Sequence, residues 1–360
     1  MLSDIYAGLM SGTSLDAVDC AIVAFPADRP RLLGTASMPM PNSIRERLLR
    51  LRFQEHGEID DACEAGIELA RLYAAAVEAA RGQAGPAAGR LRAIGAHGQT
   101  IRHRPERGYT VQAGNPALLA ELTGCPVIGD FRSRDIAAGG QGAPLASAFH
   151  RAAFSETGTS RAIVNIGGIA NVTRIEADGA VSGFDCGPGN ALLDEWIERH
   201  RGERYDRDGA WAASGRSDPA LLRRLLAEPY FALPPPKSTG RDRFHLGWLG
   251  SALTGAEDPV DVQATLLELT ATTIARAVVD SDEVYLCGGG AYNAALVERL
   301  ATRTAPQPLA TTAALGWAPE WVEAAAFAWL ARECLAGRPG NLPAVTGARG
   351  ARVLGAIYPA

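Results

Sequence analysis

Four short glycine-rich turns, each directly after an apolar run of strand character, limit what this chain can fold into. They are SGTSLDAVD (11–19), NIGGIANV (165–172), DCGPGN (185–190) and CGGGAYN (287–293). Glycine admits positive φ and lets a backbone approach a ligand closely. Successive free N–H groups in such a turn form an anion-binding nest, and Ser or Thr hydroxyls add donors. One such turn is most often only a turn. Four, each at a strand end, point to phosphates of a nucleotide. A Walker-type loop requires Gly-Lys-Ser/Thr, and the one lysine, Lys237, follows Pro236. No GxGxxG is present either, so a dinucleotide Rossmann site is unsupported. What remains is a phosphate clamp made of hairpin turns, one from each half.

The layout of the first half restarts in the second. YAGLMSGTSLDAVDCAIVAF and AIVNIGGIANVTRI share one plan: apolar strand, turn of small residues, apolar strand. That repetition predicts a duplicated α/β architecture with mixed sheets. At 360 residues the chain suits two domains. The small-residue stretch AAGGQGAP places the boundary near 138–160, giving domains over 1–150 and 151–360. Periodicity predicts helices over Asp60–Arg81, Val260–Val279 and Glu320–Cys334, and Asn115-Pro116 and Asp258-Pro259 read as helix starts. FALPPPKSTGRDRF reads as a proline-stiffened loop.

Net charge of −5 disfavours a globally basic nucleic-acid partner. No apolar run reaches the roughly 18 residues that span a bilayer, and the first residues lack a basic signal region, so a cytoplasmic protein without a membrane partner is expected. The six cysteines show no CxxC and no zinc spacing, and read as reduced, buried thiols. Of 35 basic residues only Lys237 is lysine, which leaves 34 arginines. A compact ammonium and a planar guanidinium do different work, so the survivor is a residue to follow.

YAGLMSGTSLDAVD, AHGQTIRH, DFRSRDIAAGGQGAPLAS, NIGGIANVT, GFDCGPGNALLDEW, KSTGRDRF, DVQATLLELTATTI, CGGGAYN and EWVEAAAFAWLA together resemble the anhydro-N-acetylmuramic acid kinase family, from about residue 5 to residue 331. The resemblance implies a two-domain α/β fold of the actin, sugar-kinase and Hsp70 superfamily with a central cleft. It implies a homodimeric cytosolic enzyme of cell-wall recycling. The implied reaction opens the 1,6-anhydro ring of 1,6-anhydro-N-acetylmuramic acid by hydrolysis and phosphorylates O6 with ATP and Mg²⁺. An actin- or Hsp70-like ATPase working as a conformational module is the alternative. Two departures stand out. Ala17 occupies a position where the family commonly has Gly, and Met10-Ser11-Gly12-Thr13 lacks the Asp of a D-x-G-T turn, so the metal ligands are left unassigned.

Residue by residue, the resemblance places the nucleotide at Gly12, Thr13, Ser14, Leu15, Asp16, Ala17, Val18 and Asp19, at Gly167 and Gly168, and at Gly288, Gly289 and Gly290, where adenosine would lie against backbone. Asp185, at the end of VSGFD and just before a glycine turn, is the expected general base, protruding into the cleft. An Asp there can equally serve the start of the following helix. His97, Gln99, Asp130, Arg132 and Glu323 are the expected sugar contacts, with Arg132 suited to a carboxylate. Lys237 could reach a phosphate or be a solvated loop residue.

Overall fold

β1 (Asp4–Ser11), β2 (Ala17–Phe25) and β3 (Arg31–Pro39) form an antiparallel meander. The computed structural model describes residues 4–12, 14–26, 29–51 and 57–360, so Thr13 of the first turn lies outside the described residues. β4 (Leu91–Ala96) pairs parallel with β1, and β7 (Val127–Gly129) pairs parallel with β4. Between them β5 (Gln99–Arg104) and β6 (Tyr109–Ala113) make a separate two-stranded ribbon. The strand that reads as AIGAHGQT is thus broken at His97-Gly98, where Gly98 takes φ +75°.

The helices of this part are α1 (Asn42–Arg50), α2 (Glu58–Ala84), α3 (Pro116–Thr123), α4 (Ser133–Ala137) and α5 (Ala146–Phe154). α2 opens with Glu58, Asp60 and Asp61, the charge its N-terminal dipole favours, and buries Leu69, Tyr73, Ala76, Val77 and Ala80 along one stripe. α3 starts as Asn115-Pro116 predicts. Asn115 Oδ1 accepts from the Leu118 amide at 2.9 Å, and Gly124 closes the helix in the left-handed region.

The second unit repeats the plan. β8 (Arg161–Ile166), β9 (Ile169–Ile175) and β10 (Val181–Pro188) form an antiparallel meander. β11 (Glu283–Cys287) pairs parallel with β8, and β12 (Leu309–Thr311) parallel with β11. Its helices are α6 (Ala191–Arg201), α7 (Ala210–Ser214), α8 (Pro219–Leu226), α9 (Leu246–Ala252), α10 (Pro259–Ala277) and α11 (Ala294–Thr304). α10 is capped by Asp258, whose Oδ1 accepts from the Val260 amide at 3.1 Å. It is buried at Leu266, Leu267, Leu269 and Ile274, among the residues of the core that includes Val164 and Ile166 of β8.

The last segment returns to the first unit. α12 (Val322–Leu335), α13 (Pro343–Thr346) and β13 (Ala356–Tyr358) follow, and β13 pairs antiparallel with β7. The sheets run β13-β7-β4-β1-β2-β3 and β10-β9-β8-β11-β12. Apart from the added edge strand β13, both have three meandering strands followed by two parallel ones, in the same spatial order. This is the duplicated α/β fold the restart predicts. The domain limits differ from those read off the sequence. One unit comprises the residues up to Ala153 together with Trp321–Ala360, the other Phe154–Glu320. The cause is packing: glycines in β1 and β4 leave room for the backbone of α12, as Gly8 lies against Ala324 and Ala328 and Gly95 against Phe327.

Five of the six thiols are buried, and Cys63 is exposed, against the expectation that all are buried. No helix of the described residues is long and apolar enough to cross a membrane.

Candidate active site

Asp185 lies within the antiparallel strand β10 and Glu323 on α12, while several other expected site residues follow the carboxyl ends of the parallel strands, where open α/β sheets bind their ligands. In the first unit these ends are Ser11, Ala96 and Gly129, so the next residues are Gly12, His97 and Asp130. Asp16 of the first turn is held by polar contacts. The Ser14 hydroxyl donates to Asp16 Oδ1 at 2.6 Å, the Ala17 amide donates to the same oxygen at 3.0 Å, and Met40 N donates to Asp16 O at 2.8 Å. Leu15 adopts φ +57°. Among the described residues, a Cβ on Gly12 would meet only Ser14 Oγ, at 3.6 Å. Leu15 and Val18, both read as nucleotide-binding, bury their side chains in the core, so what they can offer a ligand is backbone.

His97 and Gln99 are buried around this turn. The Gln99 amide nitrogen donates to Ser11 Oγ at 3.0 Å and to Gly12 O at 3.2 Å, while Ser11 Oγ shares a hydrogen bond of 2.8 Å with Tyr73 OH. Arg132 directs Nε and Nη2 at His97 Nε2, 3.1 and 2.8 Å away, and its Nη1 donates to Gly142 O at 2.7 Å. His97 Nε2 therefore accepts and its ring proton sits on Nδ1. The guanidinium edge expected to grip a carboxylate bidentately faces this imidazole instead, because both side chains leave neighbouring parallel strands. Phe327 of α12 packs on His97, ring centroids 4.8 Å apart, and on Phe131 at 5.5 Å. Glu323 stands one helical turn before Phe327 and so on the same face, half-buried. Asp130 is exposed at φ +52° and accepts from Ser133 N at 3.3 Å, which ties it to the start of α4.

In the second unit Asp185 sits beside a β-bulge. It pairs with Asn171, but Gly187 pairs with Ala170, so Cys186 is the extra residue. A bulge re-aims the side chains around it. Asp185 is 7% exposed, so the carboxylate does not protrude as expected. Its Oδ2 accepts from Thr239 N at 2.9 Å, its amide donates to Lys237 O at 3.2 Å, and its carbonyl accepts from Tyr230 OH at 2.8 Å. Sequence reasoning missed Tyr230 and Thr239. Thr239 stands in the KSTGRDRF motif within the proline-stiffened loop, and Tyr230 immediately precedes that loop. Burial pushes the neighbouring Cys186 thiol up, which leaves it protonated and inert.

The Gly167-Gly168 carbonyls accept the amides of Gly189, Asn190 and Ala191 at 3.0, 2.9 and 3.1 Å, so this turn is fastened to the start of α6. Gly288, Gly289 and Gly290 have unlike surroundings. Gly288 takes φ +78° and packs on Asn165 and Ile166, Gly290 packs on Ile166, and only Gly289 faces open space. Of the three, Gly289 is the one whose Cβ side is open. The other two are glycine because the end of β8 leaves no room for a side chain.

Burial holds two histidines neutral. It pushes His97 well below the usual imidazole range, helped by the Arg132 charge, and His150 of α5 down to about 3. Each binds a proton more readily unfolded than folded. Their contribution is complete above about pH 6.5 and shrinks as pH falls below that, by about 1.4 kcal/mol per pH unit for each histidine until its folded-state pKa is reached. Denaturant unfolding at pH 7.5 and pH 5 checks this. Equal stability at both would show that these rings protonate in the folded chain.

The model of the family described as anhydro-N-acetylmuramic acid kinase matches residues 4–360. The chain belongs to the anhydro-N-acetylmuramic acid kinase family. A relative of that name from Nitrosospira multiformis is 53% identical over 361 residues, 99% of each chain. Another, from Pseudomonas paraeruginosa, is 53% identical over 368 residues, 100% of each chain, and one from Thiobacillus denitrificans is 52% identical over 363 residues, 99% of this chain and 97% of its own. Membership in the anhydro-N-acetylmuramic acid kinase family thus extends over both units, including the returning C-terminal segment.

Proposed function

We propose that the chain opens the 1,6-anhydro ring of 1,6-anhydro-N-acetylmuramic acid with water and transfers the ATP γ-phosphoryl group to O6, giving N-acetylmuramic acid 6-phosphate. The observation that carries this is the family match over the whole described chain at about half identity. Relatives named as this kinase along their full length do not favour the alternative, an actin- or Hsp70-like conformational ATPase.

Asp185 accepts a proton from water. The water oxygen bonds to the anomeric carbon as the bond from that carbon to O6 breaks, and O6 takes the γ-phosphoryl group while ADP leaves. Thr239 N–H, already on Oδ2, aims the carboxylate. The first turn meets the phosphates through the backbone at Gly12 and the hydroxyl of Ser14, once that hydroxyl is drawn from Asp16. At Gly167 and Gly168 the phosphate would be met by backbone N–H groups, the donors a glycine turn offers. His97, Gln99, Asp130, Arg132 and Glu323 bind the sugar. Because Arg132 is charged and already ordered by His97 and Gly142, it attracts the lactyl carboxylate without paying for its own immobilisation.

Among the described residues no three His, Cys, Asp or Glu side chains stand together as a metal cage. Asp16, the acid in the first turn, is engaged by Ser14 and Ala17. Mg²⁺ that accompanies ATP is held mainly by phosphate oxygens and water with one or two carboxylates rather than in such a cage, and no step is routed through the ion. A cytoplasmic homodimer follows from the same family reading, and light scattering on the purified chain measures the dimer.

ADP release with and without anhydro sugar tests the assignment. Release should depend on the sugar, and phosphorus NMR should find the new phosphate on O6. Equal ADP release in the absence of sugar would support the conformational ATPase instead.

A further inference from the structure

The lone lysine does not reach outward. Lys237 Nζ donates to the carbonyls of Tyr230 and Phe231 at 3.2 and 3.5 Å. It lies 4.8 Å from the Tyr230 ring centroid and 5.4 Å from that of Phe184. The segment between those contacts, residues 230–239, holds Asp185 at three atoms. Tyr230 OH is on its carbonyl, Lys237 O receives its amide, and Thr239 N–H is on its carboxylate. The ammonium ties the late part of this strap back to its beginning, and so closes the loop whose two ends grip one aspartate.

We propose that Lys237 is a positioning residue for Asp185, fixing the strap that aims its carboxylate; the inference rests on Asp185 being the general base. A compact ammonium fits under two successive carbonyls between two aromatic rings, with cation–π attraction from both. A planar guanidinium spreads its donors over a fork and does not match that arrangement. This accounts for one lysine in a chain that otherwise uses 34 arginines among its 35 basic residues. Burial also draws the amine below the usual lysine range, while the nearby Asp185 carboxylate opposes that shift.

The test uses Lys237→Arg and Lys237→Met in the full chain, with Asp185→Asn as reference. Both lysine variants should lose about tenfold or more in kcat, since a small misplacement of a reacting group has effects of that order, and keep KM for ATP within about twofold. The double variant Asp185→Asn/Lys237→Met should turn over no more slowly than Asp185→Asn, because no base is left to misplace. Full turnover in Lys237→Arg beside an impaired Asp185→Asn overturns the inference alone. Full turnover in Asp185→Asn overturns the base assignment and the inference with it. Should the variants not fold, the wild-type chain labelled with carbon-13 lysine still decides, because it gives a single side-chain signal. That signal should be moved upfield by the two rings and titrate below free lysine. A signal at the free-lysine position overturns the proposal.

Discussion

Asp185→Asn should bind ATP as the native chain does and lose at least about a hundredfold in turnover, the lower end of what a general base contributes. Asparagine keeps the shape of the side chain and can still accept the Thr239 amide through its oxygen. What it lacks is the basicity to take a proton from water. The turns expected to hold phosphate, at Gly12 and at Gly167-Gly168, have their own hydrogen bonds within the hairpins and at the start of α6, whereas the Asp185 carboxylate accepts from Thr239. Nucleotide affinity should therefore be unchanged by calorimetry while the rate of sugar-dependent ADP release collapses. Near-native turnover would remove Asp185 from the base role. Its hydrogen bond to Thr239 would then be read as a brace for the strap alone.

Gly8→Val should cost about 3 kcal/mol or more and lower the denaturation midpoint by several degrees, among the larger effects of a single substitution. A Cβ at Gly8 would fall within the carbonyl oxygen of Ala324 and the amide of Ala328 in α12. Both obstacles are backbone, so no side chain can rotate away, and α12 would have to lift from β1. That helix carries Phe327, which packs on His97, and Glu323. Sugar binding should weaken along with stability. Gly82→Ala is the control. It lies in α2 with nothing within 4 Å of the added Cβ, and should be neutral or stabilising by up to about 1 kcal/mol. Equal melting of Gly8→Val and the native chain would show that α12 is not seated against β1 as described.

Several elements were readable because the signal lies within a few residues. Asn115-Pro116 and Asp258-Pro259 begin helices through a side-chain cap and a proline whose missing N–H has no partner to lose. The two meanders were visible as apolar runs on either side of small-residue turns. Asp185 reads in the sequence as an acid at a strand end, but β10 runs on past it to Pro188, and neither its burial nor the bulge at Cys186 was visible. The glycines at 288, 289 and 290 look alike in sequence and do different things, because what each would strike is set by the end of β8. The glycines of β1 and β4 gave no hint of a helix from the far end of the chain. Arg132 was expected to face a carboxylate and faces His97, since the order of parallel strands puts their ends side by side.

Residue order alone was enough for the repeated α/β plan and the glycine turns, because each depends on short-range backbone preference and on hydrophobic alternation. Folding alone assigned Trp321–Ala360 to the first unit, turned Lys237 inward and joined Asp135 to Asn341, 206 positions away, through a hydrogen bond of 2.7 Å. Such pairings depend on which surfaces fit when strands and helices pack, and no local period in a chain encodes that fit.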